Sequence, residues 1–269
     1  MPKIPFLAIL LFVGVLLGTP AAVAQSNSPE ALYDRGIDAI TGVGSGHNDA
    51  EGIDYFRRSA EVGYGPGQIA LGYYYETGTV LAKDPAKAIE LYRKAALTGD
   101  PLAAWLAGRM YYMGDGVPKD LDAAQKWLKM SAGQNNAYGA YFLARLIADR
   151  DAAKATALYK TAAEQGLPQA QYHYGKALKE GTGVAKDLLN AYAWLQVAAD
   201  AGNSAAGQEL TDFGADSFGL DQISSARTKA REMEQFAVRA VSSRGCAGWE
   251  GEFAEVPTPP PPMLQRFCH

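Results

Sequence analysis

The stretch "YMGDGVPKD", Tyr112 to Asp120, has the glycine content of a ligand-binding loop, and its interpretation decides the fold. Two counterparts have the same length, "ETGTVLAKD" (Glu76 to Asp84) and "KEGTGVAKD" (Lys179 to Asp187). Each has a glycine at its third position and ends in Lys-Asp. A loop that recurs in this way indicates an internal repeat, so the period must be measured before any loop residue is given a role.

The repeat extends well beyond the loops. One small-residue position recurs at intervals of 36, 36, 36 and 31 residues, at Gly36, Gly72, Gly108, Ala144 and Gly175. A pair of small residues keeps the same spacing, at Ser59-Ala60, Ala95-Ala96, Ser131-Ala132, Ala162-Ala163 and Ala198-Ala199. Each unit ends at a residue that suits the left-handed C-cap of a helix, namely Gly63, Gly99, Asn135, Gly166 and Gly202. Asn135 fits because Asn adopts this backbone conformation more readily than other non-glycine residues.

Each unit is predicted to contain two helices, one on either side of the loop. The first helix begins close to Pro66, Pro101, Asn136 or Pro168. The second helix is N-capped by Asp84, Asp120, Asp151 or Asp187. A carboxylate at a helix start repels phosphate, and the loops lack the GxGxxG and GxxxxGK patterns, so we interpret them as turns rather than ligand sites. The fourth unit lacks five loop residues, which predicts a tight connection at Asp149 to Asp151.

The units resemble the Sel1-like repeat (SLR), a relative of the tetratricopeptide repeat, and the fifth unit resembles it most closely. The matching residues are Ala170, Gly175, Gly181, Gly183, Val184, Asp187, Ala191, Trp194, Ala198, Ala199 and Gly202. The resemblance covers residues 28–202 in five units. It implies an all-α, right-handed α-solenoid that usually serves as an adaptor for other proteins, and bacterial members are often exported. Cysteine-rich relatives are linked to β-lactam binding, but the repeats here contain no cysteine.

The segments outside the repeats have distinct characters. Residues 1–24 combine Lys3, an apolar run and the small-residue site Ala22-Val23-Ala24, which predicts a signal peptide cleaved after Ala24. We therefore expect a periplasmic or secreted protein with no stable membrane anchor after cleavage. An uncleaved anchor is the alternative, although a run of about 14 apolar residues is short for a bilayer.

The C-terminal side is predicted to close the repeat array. Residues 203–243 are predicted to form capping helices, because a solenoid needs its open end covered. Residues 244–269 are Pro-rich and favour an extended tail, or alternatively a proline motif for a partner domain. The two cysteines of the chain, Cys246 and Cys268, are a disulfide candidate in an oxidising compartment, and free or intermolecular thiols are the alternative.

Charge and histidine spacing exclude several functions. With 25 Lys and Arg against 29 Asp and Glu, the chain lacks the basic excess that nucleic-acid binding requires. The three histidines, His47, His173 and His269, share no spacing with Cys, Asp or Glu that indicates a metal site or a nucleophile–base pair. We therefore expect no enzymatic activity, no cofactor and no metal.

The candidate site follows from how helix-pair repeats bind ligands, which is along a concave face lined by the first helices. Three positions on each first helix are predicted to line that face: a first position, a second four residues later, and a third after three more. With Tyr138, one turn before the first position of unit four, they give the predicted site. Its residues are Trp105, Arg109, Tyr112, Tyr138, Tyr141, Arg145, Tyr172, Lys176 and Lys179.

Aromatic faces alternating with cations suit a protein or peptide partner that bears carboxylates. We expect replacement of Arg109, Arg145 and Lys176 by Ala to abolish binding of such a partner with little effect on stability. In the competing interpretation, the aromatic residues pack between helices and the cations are ordinary solvated residues. Two other functions remain open: a cell-envelope enzyme or peptidoglycan- or β-lactam-binding protein, and a purely structural spacer.

Overall fold

A computed structural model describes residues 28–44, 46–213 and 219–242, and these ranges form twelve α-helices with no strand. The predicted signal peptide and the Pro-rich tail with Cys246 and Cys268 lie outside the described residues. The helices are α1 (Pro29–Thr41), α2 (Asp49–Glu61), α3 (Gly65–Thr77), α4 (Pro85–Leu97), α5 (Pro101–Met113), α6 (Leu121–Gly133), α7 (Ala137–Ile147), α8 (Ala152–Glu164), α9 (Pro168–Glu180), α10 (Leu188–Asp200), α11 (Ser204–Phe213) and α12 (Leu220–Ser242).

The predicted solenoid of five two-helix units with a capping helix is confirmed. Helices α1, α3, α5, α7 and α9 are the first helices of the units, and α2, α4, α6, α8 and α10 are the second helices. Each helix from α1 to α10 packs against the next, and α12 packs against α10. One apolar core runs from Ile69 in α3 to Ala226 in α12, so the units stabilise one another by stacking.

The helix ends form as the sequence predicts. The carboxylates of Asp84, Asp120, Asp151 and Asp187 each accept a backbone N–H three residues on, at 2.9 to 3.1 Å. Asn135 is the one non-glycine residue with positive φ in the described ranges, at 61°. It ends its unit where the other four units have glycine, so its identity follows from the backbone conformation.

The loops serve as packing elements between units. Gly116 lies so close to the start of α4 that an added Cβ would be 1.9 Å from the Cβ of Pro85. Gly183 lies in the same way against α8, where an added Cβ would be 2.3 Å from the carbonyl oxygen of Ala152. Both glycines have positive φ, at 71° and 68°, so only glycine combines this conformation with this contact.

The fourth unit is joined as tightly as its deletion predicts. The amides of Arg150 and Asp151 both donate to the carbonyl of Ile147 at 2.9 Å, which closes the connection within four residues. With no loop in this unit, the start of α6 lacks the cover that α4 and α8 receive. Leu121, which corresponds to Pro85 and Ala152, is accordingly 44% exposed.

Small residues set the spacing between successive units. In each boundary, a residue of the second helix is paired by register with a residue eight positions later in the next first helix. The pairs are Ser59 with Gly67, Ala95 with Ala103, Ser131 with Gly139, Ala162 with Ala170 and Ala198 with Ala206. Serine is always paired with glycine and alanine with alanine. The two serines also donate to the carbonyls of Pro29 and Pro101 at 2.7 Å.

Candidate functional site

The predicted site residues lie where first helices of neighbouring units meet. Four contacts involve these residues. Three of them join the first helices of neighbouring units, and the fourth joins α9, the first helix of unit five, to α11. They are the stacked rings of Trp105 and Tyr138 at 4.7 Å, the ion pair of Arg109 with Glu76, the Arg145 guanidinium 5.9 Å from the Tyr112 ring, and Lys179 Nζ 2.5 Å from Glu209 Oε1 in α11. Residues at the predicted positions therefore contact one another from unit to unit along the first helices.

Three of the nine predicted residues are buried beneath this face. Trp105, Tyr141 and Arg109 are 0%, 3% and 7% exposed, and α5 is buried throughout from Ala103 to Met110. The placement of these three side chains on an open surface therefore needs correction, because neighbouring first helices cover them. For the Trp105 and Tyr141 rings, the burial agrees with the alternative that aromatics at this position pack between helices.

The other six predicted residues are partly exposed. Among them, the side chains of Lys179 and Lys176 are 28% and 41% exposed. We call these six residues the wall. The wall consists of Tyr112, Tyr138, Arg145, Tyr172, Lys176 and Lys179. Its rings and cations lie over the buried layer formed by Trp105, Tyr141 and their neighbours.

Arg109 belongs to a buried polar network rather than to the wall. Its guanidinium donates to one oxygen of Glu76, and the hydroxyl of Tyr92 donates to the other at 2.8 Å. The side chains of Arg109 and Glu76 are only 9% and 11% exposed. Burial, followed by the charge of Glu76, raises the pKa of Tyr92 well above 10. Replacement of Arg109 is therefore expected to cost stability, against the expectation from sequence, because Glu76 would stay buried without its partner.

The partner of Arg109 reveals a register rule that the sequence analysis missed. Glu76 is the third-position residue of unit two, and Arg109, 33 residues later, is the second-position residue of unit three. The same spacing joins Tyr112 to Arg145 at the next boundary, where a cation–π contact replaces the ion pair. A pairwise comparison at this spacing would have indicated both contacts from sequence.

His173 is half-buried among aromatic rings. Its imidazole is stacked on Tyr159 with 4.8 Å between ring centroids and 12° between planes, and it lies 5.9 Å from Tyr141. Leu106 and Phe142 hold the corresponding position in the two preceding units, so the ring fills a packing site. Burial lowers the pKa of His173 from 6.5 to about 4, and the nearby charges of Arg145 and Lys176 add to this effect.

This pKa predicts a pH-dependent stability that His173→Phe removes. Because folding favours the neutral imidazole, the stabilisation is complete above pH 6.5 and is lost as the pH falls towards 4. We expect wild type to lose about 1–2 kcal/mol more than His173→Phe between pH 7 and pH 4.5, after allowance for solvent screening. Urea denaturation at the two pH values measures this difference. Equal losses in the two proteins would contradict a buried neutral His173.

The described ranges contain neither a cluster of metal-ligating side chains nor a membrane-spanning helix. Within them, no three His, Cys, Asp or Glu side chains are grouped so that they could hold a metal ion. His47 instead contacts the carbonyl of Ile40 at 2.5 Å and the carboxylate of Asp49 at 3.1 Å in its own loop. In the same part of the chain, no helix is both long and apolar enough to cross a bilayer.

The stacked helix pairs and small-residue contacts define a solenoid of the Sel1 class. The Sel1 repeat pattern matches residues 29–64, 65–100, 101–136, 137–167 and 168–203. The chain belongs to the Sel1 repeat family, whose members are generally non-catalytic scaffolds for protein interaction.

Known proteins show the same fold over most of this chain. A Sel1 repeat protein from Oxalobacter formigenes is 27% identical with a TM-score of 0.67, over 82% of this chain and 91% of its own. The protective antigen c5321 of uropathogenic Escherichia coli, described as displaying an SLR fold, gives a TM-score of 0.73 at 24% identity, over 89% of this chain and 52% of its own. The uncharacterized protein NMB1327 of Neisseria meningitidis is 32% identical over 155 residues, which cover 56% of this chain. The chain spans only 32% of the length of that relative.

Proposed function

We propose that the protein is an exported scaffold that binds a protein or peptide partner along the wall of units three to five. The observation that carries this proposal is the run of partly exposed rings at Tyr112, Tyr138 and Tyr172. Tyr138 is stacked on buried Trp105, and Tyr112 packs edge-on against buried Phe142 at 5.7 Å. Rings held in this way offer contact area at a small entropic cost, which suits an interaction surface.

The charges of the wall favour a partner that carries carboxylates. Arg145 and Lys176 place two cations on one face of a chain whose net charge is −4, while Lys179 is already paired with Glu209 of α11. Local positive charge on an acidic protein attracts an acidic segment of a partner. A peptide with alternating acidic and apolar side chains would satisfy both the cations and the rings.

Export is supported by the first 24 residues, whose charge, apolar run and small-residue site are typical of a signal peptide. In the proposed function the mature chain begins at Gln25 and meets its partner in the periplasm or outside the cell. Mass spectrometry of the N-terminal peptide of the purified protein tests this step, and a retained Met1 to Ala24 segment would contradict it.

Affinity capture with a matched pair of variants tests the proposed site. We expect Tyr112→Ser/Tyr172→Ser to retain a partner from envelope extracts at least about 10-fold less well than wild type, because it removes two exposed aromatic contacts. Tyr55→Ser is the control, since Tyr55 is a partly buried tyrosine on the second helix α2. Thermal unfolding of each variant shows whether the repeats remain folded.

Two outcomes would contradict the proposal. Equal capture by wild type and the double variant would remove the wall from the interaction. Absence of any protein partner, together with binding to purified sacculi or labelled penicillin, would instead support a cell-wall-binding protein.

A further inference from the structure

The boundary between units four and five breaks the register rule seen at the two preceding boundaries. There, the second-position cations Arg109 and Arg145 each meet the third-position residue of the unit before, Glu76 or Tyr112. At the next boundary the second-position cation is Lys176, and the third-position residue is Ala148. Alanine offers neither a carboxylate nor an aromatic ring, so the preceding unit supplies no such group at this position.

Lys176 has only a weak partner within its own helix. Its Nζ lies 3.7 Å from Oε1 of Glu180, one turn later, and the two side chains are 41% and 49% exposed. An exposed pair at this spacing contributes about 0.3–0.5 kcal/mol. Lys176 can therefore exchange Glu180 for a better-placed carboxylate at little cost.

Arg145 and Lys176 act on the same part of the wall from adjacent units. The Arg145 guanidinium is 5.8 Å from the Tyr141 ring, which is itself 5.9 Å from His173. Lys176 follows His173 by one turn, and the charges of both cations lower the pKa of this imidazole. The two cations thus flank one patch with Tyr141 and His173 at its base. Its other titratable neighbours are Tyr159, Tyr172, Tyr112 and Asp149.

We propose that a carboxylate of the bound partner occupies this boundary between Arg145 and Lys176, in the register place that Glu76 holds for Arg109. The inference rests on the proposed function and names the chemical group that the wall recognises. A carboxylate is favoured because the chain itself uses one at the equivalent boundary, where it binds the second-position cation. The group comes either from an acidic side chain or from the C-terminus of the partner.

Supplying the carboxylate from the chain itself gives the sharpest test. In Ala148→Glu the new side chain should pair with Lys176 and block the boundary, so that an acidic peptide binds at least about 10-fold more weakly. Ala148→Gln is the matched control, because it has the same shape without charge and should bind nearly as wild type. Lys176→Ala should also weaken binding, whereas Lys129→Ala, which removes an exposed cation from α6, should not.

Two pairs of hexapeptide probes identify the source of the carboxylate. The first pair is an acetylated and amidated Ala-Glu repeat and its Ala-Gln counterpart, and the second is hexa-alanine with a free or an amidated C-terminus. NMR titration of the full chain measures binding and the pKa of His173 together. A carboxylate bound beside the imidazole should raise that pKa from about 4 in wild type, and the neutral probes should leave it unchanged.

The results separate this inference from the proposed function. If neither acidic probe binds, or if Ala148→Glu binds an acidic probe as well as Ala148→Gln does, the carboxylate site is rejected. If the captured partner is still lost from the tyrosine double variant in that case, the scaffold function stands. If wild type captures no partner and binds no probe, both are rejected.

Discussion

Replacement of Arg109 by alanine should lower the free energy of unfolding by about 3–5 kcal/mol, because it leaves the carboxylate of Glu76 buried without its counter-charge. Glu76 would keep only the Tyr92 hydroxyl as a donor from this network. The loss should appear as a lower midpoint in urea denaturation with an unchanged m-value. Arg93→Ala is the control, since Arg93 is an exposed arginine on α4, and should change stability by less than about 0.5 kcal/mol.

A double replacement separates the buried charge from the packing. Arg109→Met with Glu76→Leu removes both charges and should recover most of the stability, because a buried ion pair contributes little beyond an apolar pair of similar volume. A loss below about 1 kcal/mol in Arg109→Ala alone would show that Glu76 readily reaches water. In that case Arg109 would return to the set of residues open to a partner.

The second large effect is expected at the boundary between units three and four. Gly139→Ala should cost about 1–3 kcal/mol, because the added Cβ is placed 2.3 Å from Oγ of Ser131 in a closely packed contact. Ser131→Ala alone should cost about 1 kcal/mol, since it removes the hydrogen bond to the Pro101 carbonyl. The double variant Ser131→Ala/Gly139→Ala creates the same residue pair as Ala95 and Ala103 at the preceding boundary. It removes the contact with Oγ but keeps the added Cβ 2.5 Å from Cβ of residue 131, so it should be less destabilised than the sum of the two single variants.

The double-mutant cycle measures this compensation directly. Urea denaturation of the four proteins should give a coupling free energy of at least about 1 kcal/mol in favour of the double variant. Additive losses would contradict the idea that each boundary accommodates one serine with one glycine, or two alanines. The Ser59 and Gly67 pair offers an independent repetition, because an added Cβ on Gly67 would be 2.5 Å from Oγ of Ser59.

Much of the fold could be predicted from sequence because repeated residues serve repeated local roles. The capping aspartates, Asn135 and the tight fourth unit follow from backbone geometry that each unit must satisfy by itself. Depth of burial on the first helices could not be predicted in this way, because it depends on side chains of the adjacent units. Trp105 is covered by Tyr138 from α7, and Arg109 by Glu76 from α3.

The candidate site was predicted in part for the same reason. Periodicity places Tyr112, Arg145 and Lys176 on one face of the first helices, but it does not show which cation is already neutralised by a neighbour. That distinction depends on residues of adjacent units that are 33 positions apart, or 28 across the shortened unit four. It also depends on whether the third-position residue is a glutamate, a tyrosine or an alanine.

The five-residue deletion in unit four also bears on how uniquely a ligand can be held. An array of identical modules would offer an extended chain several equivalent alignments, each shifted by one module, and bound molecules could slip between them. Here successive boundaries differ, because their third-position residues are Glu76, Tyr112 and Ala148 in turn. Of these three residues, only Ala148 belongs to a unit without a loop. In the proposed binding mode, the shortened unit therefore leaves a single alignment in which the carboxylate of the ligand meets Lys176.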